Sequence, residues 1–249
     1  MPLLPRLAVI FAAFTSQFAS AGVIDFETNA LGQTPTDNEI MPLNQSFQVD
    51  GVSVSFGFDT DFDGVVDSPA AFEQSGYQGA GEDTGFWGIA GAKDTAAPGF
   101  ENVLGDFFLR QQNPYQPFGV FVISYDAVDN ISAASGEIWD IDGNNRKTEQ
   151  FVVKAFEDQT LLQTIQSPIG NTLDLDGKPW RFGFENLSNI TRLEISFSGT
   201  KTKGIGLAFD NFYPEKNKAA PTAVSEPNMQ LLLMLSIALT LVSRTRLKR

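Results

Sequence analysis

The sequence predicts an all-β fold, namely an antiparallel β-sandwich, and three observations support this prediction. First, apolar residues recur at every second position, as in Val52, Val54, Phe56 and Phe58, which alternate with serine and glycine. Second, roughly ten such segments are short and are separated by turn residues. Third, the chain contains 22 Phe against 3 Trp and 4 Tyr. Because phenylalanine carries no polar group, this composition suits the interior between two sheets.

The predicted strands occupy residues 23–27, 52–58, 106–110, 119–125, 132–141, 150–157, 161–167, 181–185, 193–197 and 205–209. No helix of useful length is predicted between them. A long glycine-rich stretch separates the second and third of these strands. A loop of this length in a compact domain is usually functional or loosely ordered.

The N-terminal 21 residues have the features of a secretory signal peptide. A single charge, Arg6, precedes the apolar residues 7–14, and Ala19-Ser20-Ala21 has the small-x-small form that signal peptidase accepts. We therefore expect Gly22 to be the mature N-terminus. The alternative is a buried N-terminal strand.

The C-terminal end has the features of a membrane-targeting segment. An apolar run extends from Met229 to Val242, and cations follow at Arg244, Arg246, Lys248 and Arg249. A hydrophobic helix that is followed by cationic residues on the cytoplasmic side is a membrane stop signal. The run is shorter than the roughly 20 residues of a stable span, which favours a short transmembrane helix used in sorting over a permanent anchor. Residues 216–223 are predicted to form a flexible spacer before this segment.

This tail resembles the PEP-CTERM sorting signal, in which a Val-Pro-Glu-Pro motif precedes a hydrophobic stretch and an Arg-rich terminus. Here the motif reads Val224-Ser225-Glu226-Pro227, so Ser225 replaces the family's first proline. The resemblance implies cleavage near Glu226 and Pro227 by an exosortase-type enzyme, after signal peptidase has acted at the other end. It further implies export to the cell envelope, cell surface or extracellular matrix of a Gram-negative bacterium. An ordinary C-terminal anchor is the alternative.

The composition excludes several classes of function. The net charge is −13, which disfavours nucleic acid and anionic lipid and favours divalent cations. The chain has neither Cys nor His. Zinc, iron and copper sites usually need one of these residue types, and so do triads built on histidine. Residues 22–215 are enough for one domain with a single sizeable core.

The most specific chemical motif runs from Asp59 to Asp67. Asp59, Asp61, Asp63 and Asp67 stand at loop positions 1, 3, 5 and 9, with Gly64 at position 6 and the Val65 carbonyl at position 7. This is the ligand order of calcium loops, so we expect structural Ca²⁺ here. Ala70 replaces the bidentate Glu of an EF-hand, and Glu73 or a distant residue would complete the shell. The alternative is a solvated acidic turn. Two shorter D-x-D-G segments, at 140–143 and 174–177, are expected to be plain turns.

A second calcium site is implied by another resemblance. The segments Val23-Ile24-Asp25-Phe26-Glu27 and Leu207-Ala208-Phe209-Asp210-Asn211-Phe212 resemble the first and last strands of jelly-roll carbohydrate-binding modules. In those modules an early Glu and a late Asp often share a calcium ion, which implicates Glu27 and Asp210, with Asp25 nearby. The resemblance refines the fold to a jelly-roll-like antiparallel β-sandwich whose termini meet. An edge-strand pair with outward carboxylates is the alternative.

Three aromatic residues are candidates for glycan stacking, because sugars bind flat amphipathic rings. They are Tyr77 and Trp87 in the glycine-rich stretch, and Tyr115 further on. Trp139 and Trp180 lie in or beside predicted strands and are expected in the core. Simple packing is the alternative for all five.

These observations favour a noncatalytic exported protein that is stabilised by calcium and binds glycan in the exopolysaccharide matrix. One alternative is a sandwich-fold glycan hydrolase, which needs two carboxyl groups across a cleft. Glu137 and Asp140 do not meet that need, because strand alternation puts them on opposite faces, with Trp139 and Ile141 on the face of Glu137. No catalytic residue is therefore predicted. The other alternative is a purely structural or adhesive matrix protein.

Overall fold

The computed structural model of the chain describes residues 22–77, 85–87, 92–113, 119–125, 130–143, 146–170, 175–202 and 204–216. The predicted signal peptide, most of the spacer, the sorting motif and helix, and Tyr115 lie outside these residues. The described residues confirm the all-β prediction, with eleven strands and one helix of four residues. Among them, no helix is long and apolar enough to cross a bilayer.

The strands form two antiparallel sheets. The first sheet has the order β1-β2-β5-β10-β7-β8 and the second has the order β3-β4-β11-β6-β9. The bounds are β1 Phe47–Val49, β2 Val52–Asp59, β3 Ala70–Gln74, β4 Phe107–Gln111, β5 Val120–Tyr125, β6 Ile131–Trp139, β7 Phe151–Glu157, β8 Thr160–Gln166, β9 Pro179–Phe184, β10 Arg192–Phe197 and β11 Ala208–Lys216, with the helix α1 at Glu101–Leu104.

Phenylalanine rings from both sheets fill the space between them. Phe209 of β11 lies 5.0 Å from Phe121 of β5 and 6.3 Å from Phe182 of β9, measured between ring centroids. Phe26, from the N-terminal segment, joins the same group 6.0 Å from Phe209. All four are buried. The alternating apolar positions of the sequence thus form one continuous core between the sheets.

The outer face of the second sheet carries a smaller apolar cluster. Residues 85–87 and 92–104, which we call the covering segment, lie over this face. Phe86 and Leu104 of the covering segment pack on Phe108, Trp139 and Ala208, which point away from the main core. This sheet is therefore buried on both faces where the covering segment lies.

Buried Asp94 links the two parts of the covering segment to each other by hydrogen bonds. Its Oδ1 atom accepts hydrogen bonds from the backbone N–H groups of Gly85, at 2.8 Å, and Phe86, at 2.9 Å. Its Oδ2 atom is buried and has no hydrogen-bond partner. Burial raises the pKa of Asp94 from 3.8 to about 7. The Asp94 carboxyl group is therefore mostly neutral below about pH 7.

Several predicted element bounds differ from the structure. Residues 23–27 form a single bridge, Ile24 to Phe212, and this bridge brings the first and last segments of the sandwich together as expected. The predicted strand 205–209 begins at Ala208 and continues to Lys216. Strands β1 and β3 were not predicted, because β1 has three residues and β3 is buried on both faces and lacks alternation.

Strand β8 lies at an edge of the first sheet. It contains Thr, Leu, Gln and Ile but no charged residue, and most of its side chains are exposed. It pairs with β7 through an irregular register near Phe156.

Candidate functional site

The predicted calcium loop connects β2 to β3 and is closed at its base by backbone hydrogen bonds. Phe58 N donates to Ser68 O at 2.8 Å, and Asp67 N donates back to Phe58 O at 2.9 Å. Asp59, the last residue of β2, is paired with Val120 of the neighbouring strand. The rigid sheet therefore fixes the position of the first acidic residue of the loop.

Side-chain hydrogen bonds hold the loop in a tight turn. Asp59 accepts from the backbone N–H groups of Phe62, at 2.7 Å, and Gly64, at 2.9 Å. Gly64 has a φ of 87°, which explains why a glycine is needed at the sixth position. Asp67 accepts from the Thr60 hydroxyl at 2.9 Å and thereby joins the two ends of the loop.

The carboxylates of Asp59, Asp61 and Asp67 converge on one point, with one oxygen from each lying within 4.8 Å of the others. Asp59 is only 5% exposed, whereas Asp61 and Asp67 face solvent. Like charges this close repel one another unless a cation lies between them. Oxygen ligands around an open, solvent-accessible point suit a hard cation.

Two further predicted ligands are placed differently. The Asp63 carboxylate lies outside this close group and accepts a hydrogen bond from Val65 N at 2.8 Å. Val65 is 62% exposed. Glu73 is unsuitable as the completing ligand, because it lies on β3, is fully buried and pairs with the Arg110 guanidinium. The completing ligand suggested by the sequence is thus a structural ion-pair partner.

The second predicted calcium pair lines one cavity. Glu27 and Asp210 border a space of ≈540 Å³ together with Asp25 and Asp106. Glu27 accepts a hydrogen bond from Asp106 N at 2.7 Å. Asp210 is 1% exposed, and burial raises its pKa well above the usual value. The topology therefore brings these carboxyl groups near one another, while burial favours the neutral form of Asp210.

The predicted stacking aromatics are exposed where the structure describes them. Trp87 is 56% exposed and Tyr77 is 45% exposed, and the Lys93 ammonium lies 6.0 Å from the Trp87 ring centre. Trp139 is buried on the outer face of the second sheet, and Trp180 packs partly buried against the main core. Trp87 borders a small cavity of ≈110 Å³, whereas Tyr77 is not among the residues that line it.

The sequence did not predict an acidic cluster beside that small cavity. Asp140, Asp142 and Glu149 line it together with Lys201, whose ammonium lies 2.5 Å from a Glu149 oxygen and 3.7 Å from an Asp142 oxygen. Burial raises the pKa of Glu149 from 4.5 to about 7, although Lys201 opposes this rise. The only signal in the sequence was the D-x-D-G pair, and these two segments meet, since Asp140 accepts a hydrogen bond from Gly177 N at 2.9 Å.

The arrangement of Glu137 bears on the hydrolase alternative. Its carboxylate accepts from Arg181 Nε at 2.7 Å and from Asn211 Nδ2 at 3.0 Å. Asp140 has a φ of 60°, and this left-handed residue ends the strand alternation. Ile141 consequently packs in the main core, so the expectation that it shares the face of Glu137 and Trp139 is wrong. Glu137 is engaged in fixed hydrogen bonds on the outer face of the second sheet.

No family model and no curated protein matches the chain. Among solved structures, a DUF4465 family protein from Bacteroides caccae ATCC 43185 is similar at 10% identity and a TM-score of 0.45, covering 78% of this chain and 100% of its own. A DUF4465 family protein from Bacteroides ovatus ATCC 8483 has 12% identity and a TM-score of 0.42, covering 76% and 93%. TmCBM61, solved with beta-1,4-galactotriose, has 12% identity and a TM-score of 0.27, covering 45% and 72%. At these identities and scores, none of the three assigns a family or a ligand to this chain.

Proposed function

We propose that this protein is a noncatalytic, exported β-sandwich that binds a structural Ca²⁺ ion in the Asp59–Asp67 loop. The observation that carries the metal part is the convergence of Asp59, Asp61 and Asp67 within 4.8 Å. A cation at this point relieves their repulsion and stabilises the connection between the two sheets, because β2 belongs to the first sheet and β3 to the second.

Calcium fits this loop better than the other common cations. The chain has no Cys or His, which transition metals prefer. Magnesium demands near-ideal octahedral geometry, whereas calcium accepts six to eight oxygens in flexible geometry, including water. Two of the three clustered carboxylates are exposed, so water can complete the coordination shell.

Thermal unfolding with and without calcium tests this proposal. A ligand that binds only the folded state at 100 times its dissociation constant stabilises by about 2.7 kcal/mol. We expect a higher melting temperature in millimolar calcium than in chelator, and we expect Asp61→Asn to reduce this difference, because a neutral amide oxygen is a weaker calcium ligand than a carboxylate. Asp158→Asn removes one negative charge from an exposed turn elsewhere and should leave the calcium-dependent difference in melting temperature unchanged. Identical melting of the unaltered protein in both buffers would contradict the metal proposal.

Asp63→Asn adds a comparison within the loop. Asp63 is a ligand in the sequence motif but lies outside the close group of carboxylates. A smaller loss of the calcium effect in Asp63→Asn than in Asp61→Asn supports three direct carboxylate ligands. Equal losses support the four carboxylates of the sequence motif.

Export and processing form the second part of the proposal, and they rest on the two ends of the sequence. We propose that signal peptidase cleaves after Ala21 and that an exosortase-type enzyme cleaves near Glu226 and Pro227 after transient membrane insertion. Mass spectrometry of the protein purified from its own cells tests both positions, and we expect masses that match a chain beginning at Gly22 and lacking the apolar tail. Intact polypeptide in the cytosol would contradict this part.

Glycan binding, with exopolysaccharide as the partner, is the third part, and the exposure of Trp87 and Tyr77 favours it. Large rings left exposed on a folded domain are a common feature of contact surfaces. A glycan array should show binding that Trp87→Ala weakens. An array without binding favours the structural or adhesive alternative, and release of reducing sugar favours the hydrolase alternative.

A further inference from the structure

An open groove on the outer face of the second sheet carries polar groups that neither the calcium loop nor the exposed aromatics use. Its volume is ≈470 Å³, which lies within the roughly 300–1,000 Å³ of typical small-molecule sites. It lies between α1 and strands β6, β9 and β11, and the side chains that carry the argument are Val103, Ser135, Glu137, Arg181, Asn211 and Tyr213.

A cross-strand ion pair presents hydrogen-bond donors along one side of the groove. Glu137 on β6 is directly opposite Arg181 on β9. Arg181 Nε donates to Glu137 at 2.7 Å, and the Arg181 side chain is 70% exposed while that of Glu137 is 6% exposed. The buried carboxylate therefore anchors the guanidinium at Nε. Its two Nη groups remain available as donors at the groove, because Arg181 is among the residues that line it.

A local change of backbone direction positions an acceptor on the other side. Asn211 on β11 has a φ of 51°, a left-handed conformation that is uncommon inside a strand. Its Nδ2 atom donates to Val103 O at 2.8 Å and to Glu137 at 3.0 Å. These contacts fix the side chain through its nitrogen. The Oδ1 atom remains as an acceptor beside the groove.

The charges around the groove favour a neutral ligand. The charges of Glu137 and Arg181 compensate one another, and the net charge of −13 disfavours approach by an anion. Val103 and the Tyr213 ring add apolar surface beside the donors and the acceptor. Hydrogen-bond donors, an acceptor and apolar surface together match the hydroxyl groups and C–H faces of a sugar ring.

We propose that this groove binds one neutral monosaccharide unit of a glycan, with Arg181 and Asn211 as its hydrogen-bonding residues and Tyr213 as its apolar contact. The inference rests on the glycan-binding part of the proposed function and gives it a site distinct from Trp87 and Tyr77.

Binding of defined sugars to the full chain tests the inference. The neutral probes are the methyl glycosides of glucose, galactose and mannose, and the charged probes are methyl glucuronide and methyl glucosaminide, all measured by calorimetry and by saturation-transfer NMR. We expect a neutral probe to bind, and we expect Arg181→Ala to weaken its binding at least tenfold, which corresponds to about 1.4 kcal/mol.

Two further variants control for structural effects. Arg192→Ala removes a similar pair on β10, where Arg192 Nε lies 2.8 Å from Glu194, and it should leave sugar binding unchanged. Ser135→Ala removes a hydroxyl group from the lining of the groove and keeps the Glu137–Arg181 pair. We expect it to weaken sugar binding severalfold. Ser135→Ala therefore keeps the inference testable if Arg181→Ala is unfolded.

Three results would overturn the inference, and they separate it from the proposed function. Sugar binding that is lost in Trp87→Ala but intact in Arg181→Ala and Ser135→Ala leaves glycan binding standing and rejects the groove. Tighter binding of methyl glucuronide or of methyl glucosaminide than of every neutral probe rejects a neutral ligand. Absence of binding both to these probes and to a glycan array rejects glycan binding and the groove together, while the calcium proposal keeps its own test.

Discussion

Replacement of Asp94 by Asn should flatten the pH dependence of stability. The Asp94 carboxyl group is fully buried, and its folded-state pKa is about 7 against 3.8 for the free group. Between these two values the unfolded chain releases a proton that the folded chain retains, so the folded state loses stability as the pH rises. The loss is absent below pH 3.8, grows through the window and is complete above the folded-state pKa.

The size of this effect follows from the pKa difference. A shift from 3.8 to about 7 corresponds to about 4 kcal/mol in full. Between pH 5 and pH 8 the linkage relation gives about 2.5 kcal/mol of this total. Asn keeps the acceptor atom for Gly85 N and Phe86 N but has no charge to bury. The variant should therefore lack this part of the pH dependence.

Urea unfolding at pH 5 and pH 8 measures the effect. The difference in unfolding free energy between the two pH values should be about 2.5 kcal/mol smaller in Asp94→Asn than in the unaltered protein. Other buried acids titrate in both proteins, so most of their contribution cancels in the comparison. The exception is Glu73, whose pKa the Asp94 charge helps to raise. An uncompensated amide nitrogen at the Oδ2 position lowers stability equally at both pH values. Equal differences in the two proteins would refute the argument that Asp94 is neutral near pH 5.

Three other predictions concern stability. Arg110→Met leaves the fully buried Glu73 without its partner. The variant should lose about 3–5 kcal/mol of unfolding free energy, measured with urea. Adding Glu73→Gln to it should restore a large part of the lost stability. Lys201→Gln removes the cation beside Glu149 and Asp142, so the pKa of both acids should rise further. The variant should therefore be destabilised more at pH 8 than at pH 5. An equal loss of stability at the two pH values would contradict this prediction. Phe209→Ala opens a cavity among at least four neighbouring rings and should cost about 3–5 kcal/mol, whereas truncation of the exposed Phe62 to Ala should change stability by less than about 0.5 kcal/mol.

The sequence predicted the fold where one face of a strand is buried and the other is polar. In β2 the buried Val52, Val54 and Phe56 alternate with half-buried serines, so the period of two is visible. In β3 the first four residues are all buried, including Glu73. The reason is that the covering segment and the ion pair with Arg110 protect the second face, and a single sequence carries no signal for such protection.

The candidate sites also differ in how well the sequence predicts them. The Asp59 loop was predictable because its three clustered carboxylates lie within nine positions of the sequence and hydrogen-bond to their own loop. The Glu137–Arg181–Asn211 groove was not predictable, because its members come from three strands and meet only through sheet pairing. Lys201 and Glu149 likewise meet across 52 positions. Local chemistry is thus readable from the sequence, whereas chemistry assembled by topology needs the structure.

The uncharged β8 edge has a consequence for colloidal behaviour. Natural edge strands commonly use lysine, proline or bulges to prevent pairing with other molecules. Strand β8 has neither lysine nor proline, and its protection is limited to the irregular register near Phe156. Mutual repulsion between these acidic molecules is then a further force that keeps such edges apart. Because dissolved salt screens this repulsion over about 10 Å at 0.1 M, crowded molecules in a saline medium should self-associate through β8. A lysine in place of Gln163 should suppress this association.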